Sequence, residues 1–316
     1  MLGPALRSAL APALAPALRS AALPRARAAA AAALASGSRL HAVRRYLSSP
    51  SAAAEPDAAA AAVAAAAEAE TAAAEQKPPR QFNRFWKSVT LGVTSTGFTV
   101  LLDGRALKTP DGHQVLIPLN RPVLAALTAA EWEGQEKILK SFSLPLTSIV
   151  VRAIDSFTDA EIRKGVIDGL LKYVHTDSVC YRQPYPDSFV KLQEQYWTPL
   201  VDWLKRAYGL DIVTTDGILS IQQSDEVMAK LRSIVEAYDN VKLAAFEKAV
   251  LRSKSFIIAL ALMEREINVD FAATAGRLEV IHQIERWGEV EDSHDTDRED
   301  LKRQLGSVAC VIASSL

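Results

Sequence analysis

The sequence is short of nearly everything that announces an enzyme. It has two cysteines in 316 residues, Cys180 and Cys310, so it carries neither a disulfide framework nor a CxxC pair. Its five histidines fall in no HExxH arrangement, and no Cys/His ligand spacing occurs. GxSxG and GxGxxG are missing as well. Residues 102–110, LDGRALKTP, bring Gly, Arg, Lys and Thr together but lack the GxxxxGK[ST] spacing, and their glycine falls between strands instead of opening a helix. Long hydrophobic runs are absent too. The longest beyond residue 80, Phe256–Met263, is far shorter than the ~20 residues that span a bilayer, so it reads as a buried helix and excludes membrane insertion there.

Charge of one sign is missing from the first 54 residues, which contain seven arginines but no lysine, aspartate or glutamate in an alanine-rich background. That composition predicts a mitochondrial transit peptide over residues 1–47, with Arg45-Tyr46-Leu47 before Ser48 resembling a processing site. A plastid leader is the alternative. Removing it lowers Lys+Arg from 36 to 29 against 37 acids, leaving about −8, a balance that repels polyanions and argues against nucleic-acid binding. Residues 48–80 are mainly Ala and Glu and bury too little to offset chain entropy, which predicts a disordered linker.

The remainder is long enough for a substantial core. Strands are expected at residues 85–89, 97–102, 106–109 and 114–117, with turns at Asp103-Gly104 and Asp111-Gly112. Past Pro118 the apolar period turns helical: Pro122 opens one helix, residues 159–173 make another, and residues 187–208 a third that closes at Gly209. Helices follow from Asp225 to about Ala313, with breaks near Asn240, Asn268 and Gly288. The fold class is therefore α+β, a β-rich unit over 81–150 followed by an α-helical unit over 151–316.

Residues 248–288 hold the apolar run and then a second helix, capped by Asn268, that stops at Gly288. Along it Gly276, Glu279 and Gln283 form a narrow, polar line with Trp287 at its edge, a surface suited to receiving another chain. A competing reading places metal-dependent hydrolysis in residues 291–297, where Glu291, Asp292, His294, Asp295 and Asp297 cluster. Arg298, Lys302 and Arg303 follow at once, which suits a charged helix start instead. His175, Asp177 and Cys180 lie close together, yet nothing marks a helix N-terminus that would activate the thiol.

Seven short motifs occur together in one order. They are Phe85-Trp86-Lys87; LDGRALKTP; Glu131-Trp132 with Gln135; Leu144-Pro145-Leu146-Thr147; Thr176-Asp177 with Cys180-Tyr181-Arg182; Gln193 with Trp197 and Pro199; and Leu278-Glu279 with Gln283 and Trp287-Gly288. In this the chain resembles the mitochondrial assembly chaperones that bind the α subunit of the F-type ATP synthase head. It departs from them in having Val280 and Ile281, not further acids, after Glu279. The resemblance implies an α+β protein of the mitochondrial matrix, without catalytic activity or cofactor and monomeric when free. Such a protein holds an unassembled α subunit until β subunits replace it. A subunit that stays in the finished synthase is the third possibility, distinguished by its abundance in the mature complex.

Overall fold

The computed structural model describes residues 83–217 and 219–314, so the transit peptide and linker expectations lie outside the described residues. Its architecture is α+β, a three-stranded antiparallel sheet followed by helices. Strand β1 (Val89–Val93) pairs with β2 (Phe98–Leu102) in a register that sets Leu91 opposite Val100. Strand β3 (Arg105–Ala106) folds back through Asp103-Gly104, both at positive φ, as a two-residue hairpin requires. The Asp103 carboxylate accepts the Lys87 and Ser88 N–H groups at 2.9–3.1 Å, which holds its pKa below the ordinary carboxylate value. The Lys87 and Ser88 N–H groups are taken in this way, and β1 begins at Val89.

The strands expected at 106–109 and 114–117 are reduced to isolated bridges, Lys108 with Gln114 and Ile117 with Phe98. The turn between them is tied by Thr109, whose carbonyl accepts from Gly112 and whose hydroxyl accepts from His113, and the segment is too short to build a ladder beyond it.

Helix α1 (Pro122–Glu133) begins at its proline and lies on β1 and β2, burying Leu124 and Trp132. Pro145-Leu146-Thr147, which reads as punctuation in the sequence, instead opens α2 (Pro145–Asp155), and the expected division at 150/151 falls inside this helix. Its N-cap, Leu144, offers no side-chain acceptor. Glu131 of α1 supplies one, taking the N–H groups of Leu146 and Thr147 at 2.6 and 2.8 Å and the Thr147 hydroxyl at 2.8 Å.

Helix α3 (Ala160–His175) starts where Asp159 accepts from Glu161 and Ile162. The single helix expected over 187–208 is two, α4 (Asp187–Tyr196) and α5 (Thr198–Tyr208). Pro199 has no N–H to continue the ladder, so the chain kinks at Trp197, and α5 ends on left-handed Gly209. Helices α6 (Asp225–Glu236) and α7 (Asn240–Ser253) follow, capped by Ser224 and Asp239. At the centre stands α8 (Phe256–Met263), every residue buried, with α3, α5, α7, α9 (Val269–Gly276) and α11 (Ser293–Ala313) around it. Between α9 and α11 lies α10 (Leu278–Trp287).

The motif around Asp177 belongs to this core. Asp177 is fully buried and accepts the Val179 N–H at 3.1 Å and, from the start of α8, the Ile257 N–H at 3.0 Å. Its carboxylate thus sits at the positive end of the central helix. The β-like stretch expected at 177–182 is a 3₁₀ turn, Ser178–Cys180, followed by a bridge from Tyr181 to Thr215, and residues 211–221 return no strand beyond that bridge among those described. Cys180 is buried, and burial pushes its thiol up to about 12, so it is a packing residue.

Candidate functional site

One helix was expected to carry Gly276, Glu279, Gln283 and Trp287. The chain instead breaks at Arg277, so these residues fall on two helices. Asn268 does cap α9, accepting the Phe271 N–H at 2.8 Å, and Gly288 does end α10, at φ +91°. Gly276 is the last residue of α9, and a Cβ there would lie 3.4 Å from the Ser253 carbonyl oxygen. It therefore packs α9 against the end of α7 at ordinary contact distance and does not stand in line with the α10 residues. Glu279, Gln283 and Trp287 lie together on α10, one turn apart, and all three are exposed.

The break has a physical cause. Arg277 is buried, its Nε 3.0 Å from the Asp297 carboxylate and its Nη2 donating to the His294 carbonyl at 3.0 Å. Reaching α11 in this way takes residue 277 out of helical geometry, at φ −119° and ψ 17°. The next helix is then free to set off in its own direction. It is seated through Leu278, its only buried residue, and through His282, whose ring stacks on Phe189 of α4 at 4.9 Å. Phe189 in turn meets Trp197, whose Nε1 donates to the Ala275 carbonyl at 2.9 Å. An aromatic support therefore runs from the α4–α5 kink to the underside of α10.

The outer side of α10 is not polar throughout. At about 100° per residue, Val280, Ile284 and Trp287 share an arc of about 60° opposite Leu278 and His282. Val280 and Ile284 are half-buried, Trp287 is 71% exposed, and Val290 just beyond is 61% exposed. The Arg286 guanidinium lies 5.2 Å from the Trp287 ring centre. Four other tryptophans, Trp86, Trp132, Trp197 and Trp203, are buried, so Trp287 alone of the five faces solvent. Val280 and Ile284 escaped the sequence reading because the chain was followed along Glu279 and Gln283; the spacing 280, 284, 287 was the signal.

Part of the acidic cluster at 291–297 is engaged elsewhere. Asp297 pairs with Arg277, Asp295 with Arg298 at 2.8 Å, and His294 Nδ1 accepts the Val290 N–H at 3.0 Å. Among the described residues no group of three or more His, Cys, Asp or Glu is placed to hold a metal ion. The hydrolase alternative is not favoured by this arrangement, in which Asp295 and Asp297 are paired with arginine. Nor is any described helix long and apolar enough to cross a membrane.

Comparison with known proteins identifies the family. Residues 83–205 match the family model described as ATP12 chaperone protein. The mitochondrial protein atp12 of Schizosaccharomyces pombe is 33% identical over 240 residues, covering 73% of this chain and 82% of that one. The mitochondrial ATP12 of Saccharomyces cerevisiae is 31% identical over 283 residues, covering 74% and 87%. The crystal structure of Atp12 from Paracoccus denitrificans superposes with a TM-score of 0.66 at 28% identity, covering 74% of this chain and 98% of that one. The mitochondrial location of the two fungal relatives matches the one expected from the N-terminal residues. On this sequence identity over most of its length and on the shared fold, the chain belongs to the ATP12 chaperone family.

Proposed function

We propose that this protein is a mitochondrial matrix chaperone for assembly of the F-type ATP synthase head, and that it holds the unassembled α subunit on the outer side of α10. Family membership supports the chaperone role, and one observation supports the site. Glu279, Gln283 and Trp287 stand exposed in line on a helix of which only Leu278 is buried. A subunit that will mate with β in the finished ring exposes apolar surface beforehand, and such surface aggregates. A chaperone that covers it more weakly than β does gives it up by mass action, without nucleotide. The absence of catalytic motifs from the sequence accords with this role.

The test is Glu279→Lys. Glu279 is exposed and forms no ion pair among the described residues, so the change inverts charge at the proposed surface without touching the core. Expected is a circular-dichroism spectrum and melting midpoint like those of the parent, with α-subunit capture lowered because a charge at the edge of the contact is inverted. Equal capture by parent and variant would remove Glu279 from the site. Co-purification from matrix tests the client itself: unassembled α subunit should come along, while equal abundance in mature synthase would favour a permanent subunit.

A further inference from the structure

We infer that the client is recognised chiefly by an apolar stripe on α10, made by Val280, Ile284 and Trp287 and prolonged by Val290, and that the segment it takes is apolar and basic. The inference rests on the reading above and specifies what that site binds.

Three observations carry it. A helix apolar on one side buries that side and shows water the other. Helix α10 has Leu278 and His282 directed to its support and a second apolar line, Val280, Ile284 and Trp287, directed away from it. A solvated surface gives no reason for this second line, and a large tryptophan at 71% exposure is the least expected member. Second, the surroundings have one sign. On and just beyond α10, away from the Leu278 side, stand Glu279, Glu289, Glu291 and Asp292, against Arg286 on the helix itself, which is drawn over the Trp287 ring. Among the described residues only Glu289 of these acids meets an arginine, Arg298 at 3.9 Å, and loosely. Third, the rim decides among occupants. A second copy docking about a two-fold axis would bring the same acids face to face, and nucleic acid or an anionic membrane would be repelled. An apolar protein surface bearing lysine or arginine is what remains complementary, with Trp287 as the central contact and Glu279 as a rim charge selecting against acidic competitors.

The experiment is a calorimetric titration of the α subunit into the full-length mature protein, with Trp287→Ala, Ile284→Ser and Glu279→Lys alongside the parent. All three positions are outside the core, and melting midpoints check that folding is intact. Expected is a loss of about tenfold or more for Trp287→Ala, a smaller loss for Ile284→Ser, and parent affinity falling less than about threefold as salt rises from about 0.05 to 0.5 M. Parent-like binding by both stripe variants, with loss only in Glu279→Lys or a collapse of parent affinity in salt, would overturn the apolar stripe while leaving the chaperone reading in place. No binding by the parent would remove that reading and this inference together. Sedimentation completes the set: a parent dimer that Trp287→Ala dissolves would make a second copy the occupant and refute the assignment.

Discussion

Asp177 offers the sharpest test of how the core is held. Its carboxylate lies wholly inside the protein at the start of α8, and burial raises its pKa from 3.8 to about 6 against the hydrogen bonds from Ile257, Ser255, Val179 and Phe256. At about 1.4 kcal/mol per tenfold change, that difference makes the charged carboxylate cost about 3 kcal/mol of folding free energy at neutral pH. The sign follows from proton uptake. Between pH 3.8 and 6 the folded state binds more protons at this group than the unfolded state, so its stabilising contribution is complete below 3.8 and is lost as pH rises through 6. Asp177→Asn removes the charge and keeps one acceptor. Relative to the parent it should gain stability as pH rises from 4 through 6 and then level off, by up to about 3 kcal/mol in all, less whatever its amide loses against the surrounding donors. Asp177→Ala has no acceptor, leaves the buried N–H groups of Val179 and Ile257 unpaired, and should cost about 3–5 kcal/mol at pH 4, a deficit that shrinks as pH rises with the same slope as for Asn, because Ala too lacks the titrating group. Guanidinium denaturation of the three proteins across that range gives the differences directly, since other titrating groups cancel. A parent that gains on Asp177→Asn as pH rises would refute the reasoning, and so would equal harm from Asn and Ala.

Two further outcomes follow from the way the helix ends are closed. Glu131→Ala removes the only side-chain acceptor at the start of α2 and should lower stability by about 2 kcal/mol or more, read as a lower denaturation midpoint at unchanged m-value. Arg121 is 1% exposed, donating to the Asp239 carboxylate at 2.6 Å and to the Val311 carbonyl at 3.0 Å, whereas Asp239 is half-exposed. The pair should therefore be asymmetric. Arg121→Met leaves a hydrated carboxylate that still caps α7 and should cost under about 2 kcal/mol, while Asp239→Ala strands a buried guanidinium and should cost about 3–5 kcal/mol. Thermal melts of both variants check the order.

What the sequence disclosed was local. Asn268 as a cap, Gly209 and Gly288 as stops, Asp103-Gly104 as a hairpin turn and Phe256–Met263 as a buried helix are each decided by a few adjacent residues, and each stands in the structure as read. What it concealed was settled between distant segments. Pro145 looks like punctuation because the residue that caps its helix, Glu131, is fourteen positions away on another helix. Asp177 looks like part of a thiol site because its partner Ile257 lies 80 residues on. The kink at Trp197 was foreshadowed by Pro199, but the apolar period runs through it unbroken. For the site, Glu279, Gln283 and Trp287 were legible as one line, whereas the break at Arg277 depends on Asp297 and His294, which no helical period encodes.

The same contrast bears on where binding should be sought. In the core, caps, apolar faces and buried polar groups support one another, as Asp177 with α8 and Glu131 with α2 illustrate. At α10 they conflict: apolar residues on opposite sides, one buried residue in ten, and a tryptophan in water. Sequences keep such conflicts where something outside the fold resolves them. A chaperone has to display apolar surface without joining the aggregate it prevents, and on the proposed reading the acids around the stripe do this. Like-charged rims keep copies of the chaperone apart, while the stripe stays open to an apolar client that carries the opposite charge. Confining the apolar contact to one helix also limits its strength, which is what handover to a larger and more permanent interface demands.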